Sequence, residues 1–251
     1  MGLLFFKVWL RNARVWRKHM RASLIGNLGQ PFLFLLAMGY GLGRTIPEIE
    51  GLTYLQFIAP GLVSSAVMYS GAFETTYGSY TRLSTQHTYE AILMTPVSVE
   101  ELALGEVFWG ATKGLISGMI MLAVMPFFGV LPSFWTLALI PVLFLAGVLF
   151  ASLGLIMTAL AANYEFFNYF TSLLITPLFL FSGIFFPVEA MGTVARWIVL
   201  SLPLTHVVKL SRMLCYGHIC QGWLPSLAIV AFYTSVFTWM AVILIRRRLI
   251  A

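Results

Sequence analysis

The side chains able to do acid–base or metal chemistry are few and far apart. All nine carboxylates are glutamates, there is no aspartate, and the four histidines form no ligand set. Cys215 and Cys220 stand five residues apart, a step that points them away from each other on a helix, so a disulfide needs a break between them. No metal-ligand spacing surrounds them. Catalysis by paired aspartates or by an aspartate-held metal is therefore a poor reading. What remains is the chemistry of charge inside an apolar run. Lys113 lies within the stretch 106–131. A lysine at that depth costs at least a few kcal/mol on insertion scales. It needs a partner, water, or a stem long enough to reach the interface. Glu106 is seven residues earlier, on the same helix face but roughly 10 Å away. Glu74, near the inner end of the stretch 54–77, sits at similar depth. The spacing predicts a Glu74–Lys113 ion pair, either a static brace or a pair that opens during a conformational cycle.

The elements that must hold this pair are membrane spans. Six long apolar stretches, 24–43, 54–77, 106–131, 134–160, 167–187 and 223–245, fill most of the 251 residues. About 20 apolar residues cross a bilayer core of roughly 30 Å. Hydrophobic residues make up 60% of the chain and charged ones 10%. A soluble domain carries about 25% charged residues, so a soluble fold is excluded. The net charge of +6 gathers at the two ends. Lys7, Arg11, Arg14, Arg17, Lys18 and Arg21 precede the first span, and Arg246, Arg247 and Arg248 follow the last. Both clusters abut apolar runs, so nucleic acid is a poor partner. The positive-inside bias places both termini in the cytoplasm, which six spans satisfy. The expected fold is a single all-helical integral membrane domain over 1–251.

Residues 1–22 do not read as a cleavable leader. Leu3, Phe6, Leu10, Ala13 and Trp16 recur at three- and four-residue steps among basic residues, as in an amphipathic helix lying on the inner leaflet. Residues 187–222 are expected outside. Two short apolar patches broken by Pro203 suit short re-entrant helices, although Arg196, Lys209 and Arg212 run against the charge bias. Gly110, Gly114 and Gly118 repeat at four-residue steps, which lets helix backbones approach closely within the bundle or across a dimer face. Phe166, Phe167, Tyr169 and Phe170 begin an aromatic-rich span. Their rings suit a saccharide path, although a lipid-facing or interfacial belt is the commoner use of such residues.

The polar stretch 78–105 is expected in the cytoplasm. Thr88 caps a short helix there, with Glu90 in its first turn and Ala91, Ile92 and Met94 apolar, before Pro96 stops it. Ser98-Val99-Glu100-Glu101 is a capping-box pattern opening the next helix. A water-exposed loop has little use for Ile92, Leu93 and Met94 together. They make a contact surface, for a soluble partner or for the chain's own bundle.

Ala59 to Leu62, Phe73 to Leu83, Tyr89 to Pro96, Glu101 to Gly114, Phe150 to Gly154, Thr158 to Ala161 with Tyr164-Glu165, Ile175 to Glu189, Leu202 to His206 and Leu244 to Leu249 occur in this order. The ordered set resembles the permease of type-2 ABC exporters, and within them the NodJ-like branch. The resemblance runs from about residue 54 to the end. At Met94-Thr95-Pro96 the chain follows the general run of the family. The resemblance implies a bacterial inner-membrane homodimer of six-span permeases that moves a lipid-linked saccharide or similar amphiphile out of the cytoplasm. It also implies a coupling helix docked on a separate ATPase subunit, here Thr88, Tyr89, Glu90, Ala91, Ile92, Leu93, Met94 and Thr95. The chain has no GxxxxGK[ST] loop, so ATP and magnesium are expected on that partner, with no cofactor and no catalysis in this chain. Two other readings stay open. A membrane-embedded transferase acting on lipid-linked sugar would need clustered acids or histidines near one interface. An ion-coupled secondary transporter would need mid-bilayer carboxylates and broken helices in matched halves.

Overall fold

A computed structural model describes residues 3–18, 20, 29, 32–41, 43, 46, 48–49, 51–217 and 222–250. Among the described residues the chain is helical, with one isolated antiparallel bridge between Ile49 and Leu52. In chain order the helices are α1 (Phe5–Arg17), α2 (32–41), α3 (Tyr54–Phe73), α4 (Thr88–Leu93), α5 (Val99–Val124), α6 (Leu139–Leu160), α7 (Phe166–Phe181), α8 (Thr193–Ser201), α9 (Pro203–Tyr216) and α10 (Trp223–Ile250). Of the first apolar stretch, 24–28, 30, 31 and 42 lie outside the described residues, as does Cys220. Cys215 is a free, buried thiol.

α3 is the axis of the bundle. Every residue from Phe57 to Ala72 is buried, because α5, α6 and α9 pack around it. A helix surrounded by protein needs small residues more than lipid-facing bulk, and α3 is rich in Gly, Ala and Ser. Its start is a full capping box: Thr53 N–H donates to Gln56 Oε1 at 2.9 Å and Gln56 N–H to Thr53 Oγ1 at 3.4 Å. Pro60 inside the helix has no N–H to give the Gln56 carbonyl. The Tyr216 hydroxyl donates to that carbonyl instead, at 2.7 Å.

Glycine lets the neighbours come close. A Cβ at Gly114 would lie 2.9 Å from the Val67 carbonyl oxygen, and one at Gly110 would lie 2.7 Å from Thr75 Cγ2. On α6, a Cβ at Gly147 would meet Ala111 O at 2.9 Å. The Gly110, Gly114 and Gly118 row therefore faces α3 and α6 within the chain. Ser98 and Glu101 form both bonds of the capping box that opens α5. The end of α6 is closed from a distance: Arg248 donates to the carbonyls of Thr158, Ala159 and Ala161 at 2.6–3.0 Å. A cation on carbonyls that lack intrahelical partners satisfies both their hydrogen bonding and the helix dipole.

Among the described residues, three helical segments are long and apolar enough to cross a bilayer: Val99–Phe128, Phe134–Leu160 and Trp223–Ile250. α8 and α9 qualify only as a pair, bent by 86° where Pro203 interrupts them. Three expected boundaries shift. The fifth stretch was expected to reach residue 187, but α7 stops at Phe181. Ser182 turns its hydroxyl back to the Leu178 carbonyl and Gly183 takes φ +74°. Roughly 24 Å long at the rise of an α-helix, α7 is shorter than the ~30 Å core. The second stretch runs past 77. Two π turns, Glu74–Gly78 and Thr81–Thr85, carry helical backbone to Thr85, so 78–85 is not loop. The cap of α4 is not Thr88, which is its first residue. His87 precedes it in the left-handed region at φ +49°, with no side-chain cap.

The N-terminal helix is more than a surface anchor. Val8 and Asn12 are buried against α5, Val8 on Gly105 and Phe5 on Phe108. Trp9 Nε1 donates to Thr112 Oγ1 at 2.9 Å. Leu3 and Phe6, from the expected apolar stripe, stay exposed on the opposite side.

Candidate functional site

Charges gather where α1, the extended end of α3 and the first half of α5 meet. Lys113 Nζ lies 2.6 Å from Glu74 Oε2. Glu74 Oε1 accepts Arg82 at 3.0 Å and Trp109 Nε1–H at 2.9 Å. Arg82 continues to Glu106, at 2.6 Å from NH2 and 3.1 Å from Nε. Glu106, fully buried, also accepts the Ser79 hydroxyl and the Asn12 side-chain amide, each at 2.8 Å. The result is an alternating chain, Lys113–Glu74–Arg82–Glu106, ending on the N-terminal helix through Asn12 and Arg11, whose guanidinium donates to Asn12 Oδ1 at 2.9 Å. Alternation is what lets charges stay ionised out of water, since each carboxylate has a cation and further donors. Burial first, and Arg82 second, hold the Arg11 guanidinium below its ordinary pKa.

Local structure explains how Arg82 gets there. Glu74, Gly78 and Arg82 stand four residues apart, on one helix face. A Cβ at Gly78 would sit 2.9 Å from Glu74 Oε1 and 3.4 Å from Arg82 NH2, so glycine leaves the space their ion pair occupies. Hydroxyls of Thr75, Thr76, Thr81 and Ser84 bond carbonyls one turn back. Arg82, Glu106, Ser79 and Asn12 were all absent from the sequence-derived site. The four-residue spacing was the available signal, masked by ending the helix at 77.

α4 presents two faces. Tyr89 is fully buried, with Ile92 and Leu93 packed beside it on a cluster that includes Leu102, Val107 and Ile245. Its phenol has no hydrogen-bond partner among the described residues and lies within electrostatic reach of Glu106 and Arg82. Burial, then the Glu106 charge, push its pKa well up. The outer face carries Glu90, Ala91, Met94 and Thr95, all exposed, with Met94 at 89%. His87 Nδ1 sits 3.0 Å from Glu90 Oε1. α4 therefore has one side packed on the bundle and one side, carrying Met94, exposed.

The aromatics beginning α7 divide. Phe167 and Phe170 are buried, Phe167 edge-on to Tyr77, Tyr80 and Tyr164. Tyr169 is exposed and Phe166 partly so. Among the described residues no three His, Cys, Asp or Glu side chains gather as a metal site.

Comparison with known proteins gives a consistent result. The family described as ABC-2 type transporter matches residues 4–216. Nodulation protein J of Rhizobium meliloti (strain 1021) is 36% identical over 256 residues, covering 99% of this chain and 95% of that protein. Nodulation protein J of Rhizobium leguminosarum bv. trifolii is 35% identical over 249 residues, covering 99% and 95%. The inner membrane transport permease YadH of Escherichia coli (strain K12) is 24% identical over 240 residues, covering 90% and 92%.

Proposed function

The chain belongs to the ABC-2 type transporter family, a membrane transport subunit rather than a catalyst, and from that premise we propose that it is the permease of an ATP-driven exporter. Its six apolar stretches cross a bacterial inner membrane with both termini in the cytoplasm. Two copies pair, and each docks on a separate ATPase subunit that holds ATP and magnesium. The cargo is an amphiphile, a lipid-linked saccharide in the first instance. Likeness over nearly the whole length to nodulation protein J chains supports the branch. Likeness to an inner membrane transport permease supports the membrane.

The observation that carries the mechanism is the two-faced α4. A soluble subunit pressing on Glu90, Ala91 and Met94 would displace Tyr89, which is wedged beside Glu106 and Arg82. Those charges join α3 to α5 and α1. A push on α4 thereby reaches the bundle axis without a flexible linker, since Pro96 and the Ser98 capping box fix the angle between α4 and α5.

The test is purification of the tagged chain from its native membranes in mild detergent, with an ATPase assay on the eluate. A near-stoichiometric partner with vanadate-sensitive hydrolysis is expected. A chain that elutes alone and inert, with α4 intact, would sink the reading and bring forward a transferase or an ion-coupled transporter.

A further inference from the structure

Beside the ion chain a cavity of about 300 Å³ opens between α1, the extended end of α3 and α5. Arg11, Val15, Trp16, Glu74, Gln86 and Trp109 are among its lining residues. Its acceptors are already taken. Glu74 holds Lys113, Arg82 and Trp109, and Asn12 Oδ1 holds Arg11. Its donors are not. Trp16 Nε1–H is buried with no partner among the described residues. Arg11 makes one hydrogen bond and no ion pair among them. Gln86 is exposed, and its carbonyl is the atom engaged, by Thr88 at 3.4 Å.

Charge points the same way. Three cations, Arg11, Arg82 and Lys113, face two carboxylates, Glu74 and Glu106. One positive charge is left over, at the Arg11 end beside the cavity. A pocket with spare donors and an uncompensated cation selects an acceptor-rich anion rather than a neutral polyol, which would need acceptors too. The indole faces of Trp16 and Trp109, edge to face at 5.8 Å, and Val15 add an apolar wall. Leu3 and Phe6 on the free side of the same helix would rest in the lipid surface.

We propose that this cavity binds a phosphate group, carried on the headgroup of an amphiphile or free in solution, with Arg11 and the Trp16 indole N–H as its principal donors. The inner-leaflet placement rests on the exporter reading; the ligand chemistry does not.

The experiment titrates the purified full-length chain, in neutral maltoside micelles, with dodecyl phosphate, with stoichiometry read by native mass spectrometry. One saturable site per chain is expected. Losing a charge-assisted bond should weaken binding in R11Q by about tenfold or more, and losing one neutral donor should weaken W16F by roughly two- to tenfold. R14Q removes the same charge from an exposed position on the same helix and should weaken binding less than about threefold. Equal losses in R11Q and R14Q would reduce the effect to general attraction of a basic helix for anions and overturn the site. Unchanged binding in both R11Q and W16F, or equal binding of a neutral alkyl glycoside, would overturn it too. Inorganic phosphate competing at millimolar levels would support the site with the free ion as ligand; failure to compete beside tight dodecyl phosphate binding would support it with a headgroup. Binding is read without ATPase or transport, so loss of the site and loss of the exporter reading are separate results.

Discussion

Arg82 bridges the buried Glu106 and the largely buried Glu74, whereas Lys113 touches only Glu74, which keeps Arg82 and Trp109 as well. Removing one member of a buried ion pair leaves an uncompensated charge, at about 3–5 kcal/mol. R82M strands Glu106 with only neutral donors and should fall in that range. K113M leaves Glu74 with Arg82 and should cost roughly 1–3 kcal/mol, closer to a lost hydrogen bond. Thermal unfolding in detergent orders the two, and E74Q combined with K113M should recover part of the K113M loss. A K113M loss equal to or larger than that of R82M would contradict a chain of charges centred on Arg82. The Glu74 and Lys113 positions were legible in the sequence because a lysine deep in an apolar run has to find a partner. Arg82 was not, because it lies within a polar run, Thr75 to Ser84, that reads as loop. Those same hydroxyls return to the helix's own carbonyls, and the π turns keep Arg82 on the Glu74 face.

At the scale of elements, the short helix α4 and the glycine seam make opposite demands. α4 should tolerate change outside and not inside. E90R and M94R alter exposed positions and should shift stability by no more than about 0.5 kcal/mol, yet break the link between ATP hydrolysis and export. Transport and ATPase rates measured together on the reconstituted complex check this; normal coupled transport in both variants would show that α4 is not the docking face. The seam tolerates nothing added. A methyl at Gly147 would meet Ala111 backbone at 2.9–3.0 Å, and backbone in a packed helix cannot step aside cheaply. G147A should cost about 1–3 kcal/mol. G192A, where a Cβ meets nothing within 4 Å, should stay within about 0.5 kcal/mol. The four-residue glycine step on α5 was readable from sequence. Its partners, Val67 and Gly71 on α3 and Leu143 and Ala151 on α6, were not, since spacing on one helix says nothing of which neighbour fills the groove.

Over the whole molecule, the apolar stretches of the sequence locate Trp223–Ile250, Phe134–Leu160 and the enclosed α3 alike, but they do not say which of them is enclosed: an apolar 18-residue stretch of Phe134–Leu160 is 72% buried and that of Trp223–Ile250 22%. The small and hydroxylated residues of α3 are the trace of its central position. α8 and α9 were expected as short helices around Pro203, and the 86° bend follows from proline at the first turn of the second helix. The proposed six-span arrangement puts Arg196, Lys209 and Arg212 outside, against the charge bias. The Arg212 guanidinium, still charged, lies over the Phe57 ring at 3.7 Å and donates to the Phe57 and Gly183 carbonyls. Three cations thus stand against the strongly basic ends, and orientation follows the ends. Single cysteines placed on a background lacking Cys215 and Cys220 decide the matter. With a membrane-impermeant maleimide on intact spheroplasts, F127C and E189C should label at once. Q86C and N163C should label only after permeabilisation. Labelling of N163C from outside would put the turn between α6 and α7 on the wrong face, remove the even span count, and with it the shared cytoplasmic side on which α1, α4 and the basic C-terminus have to meet a soluble partner.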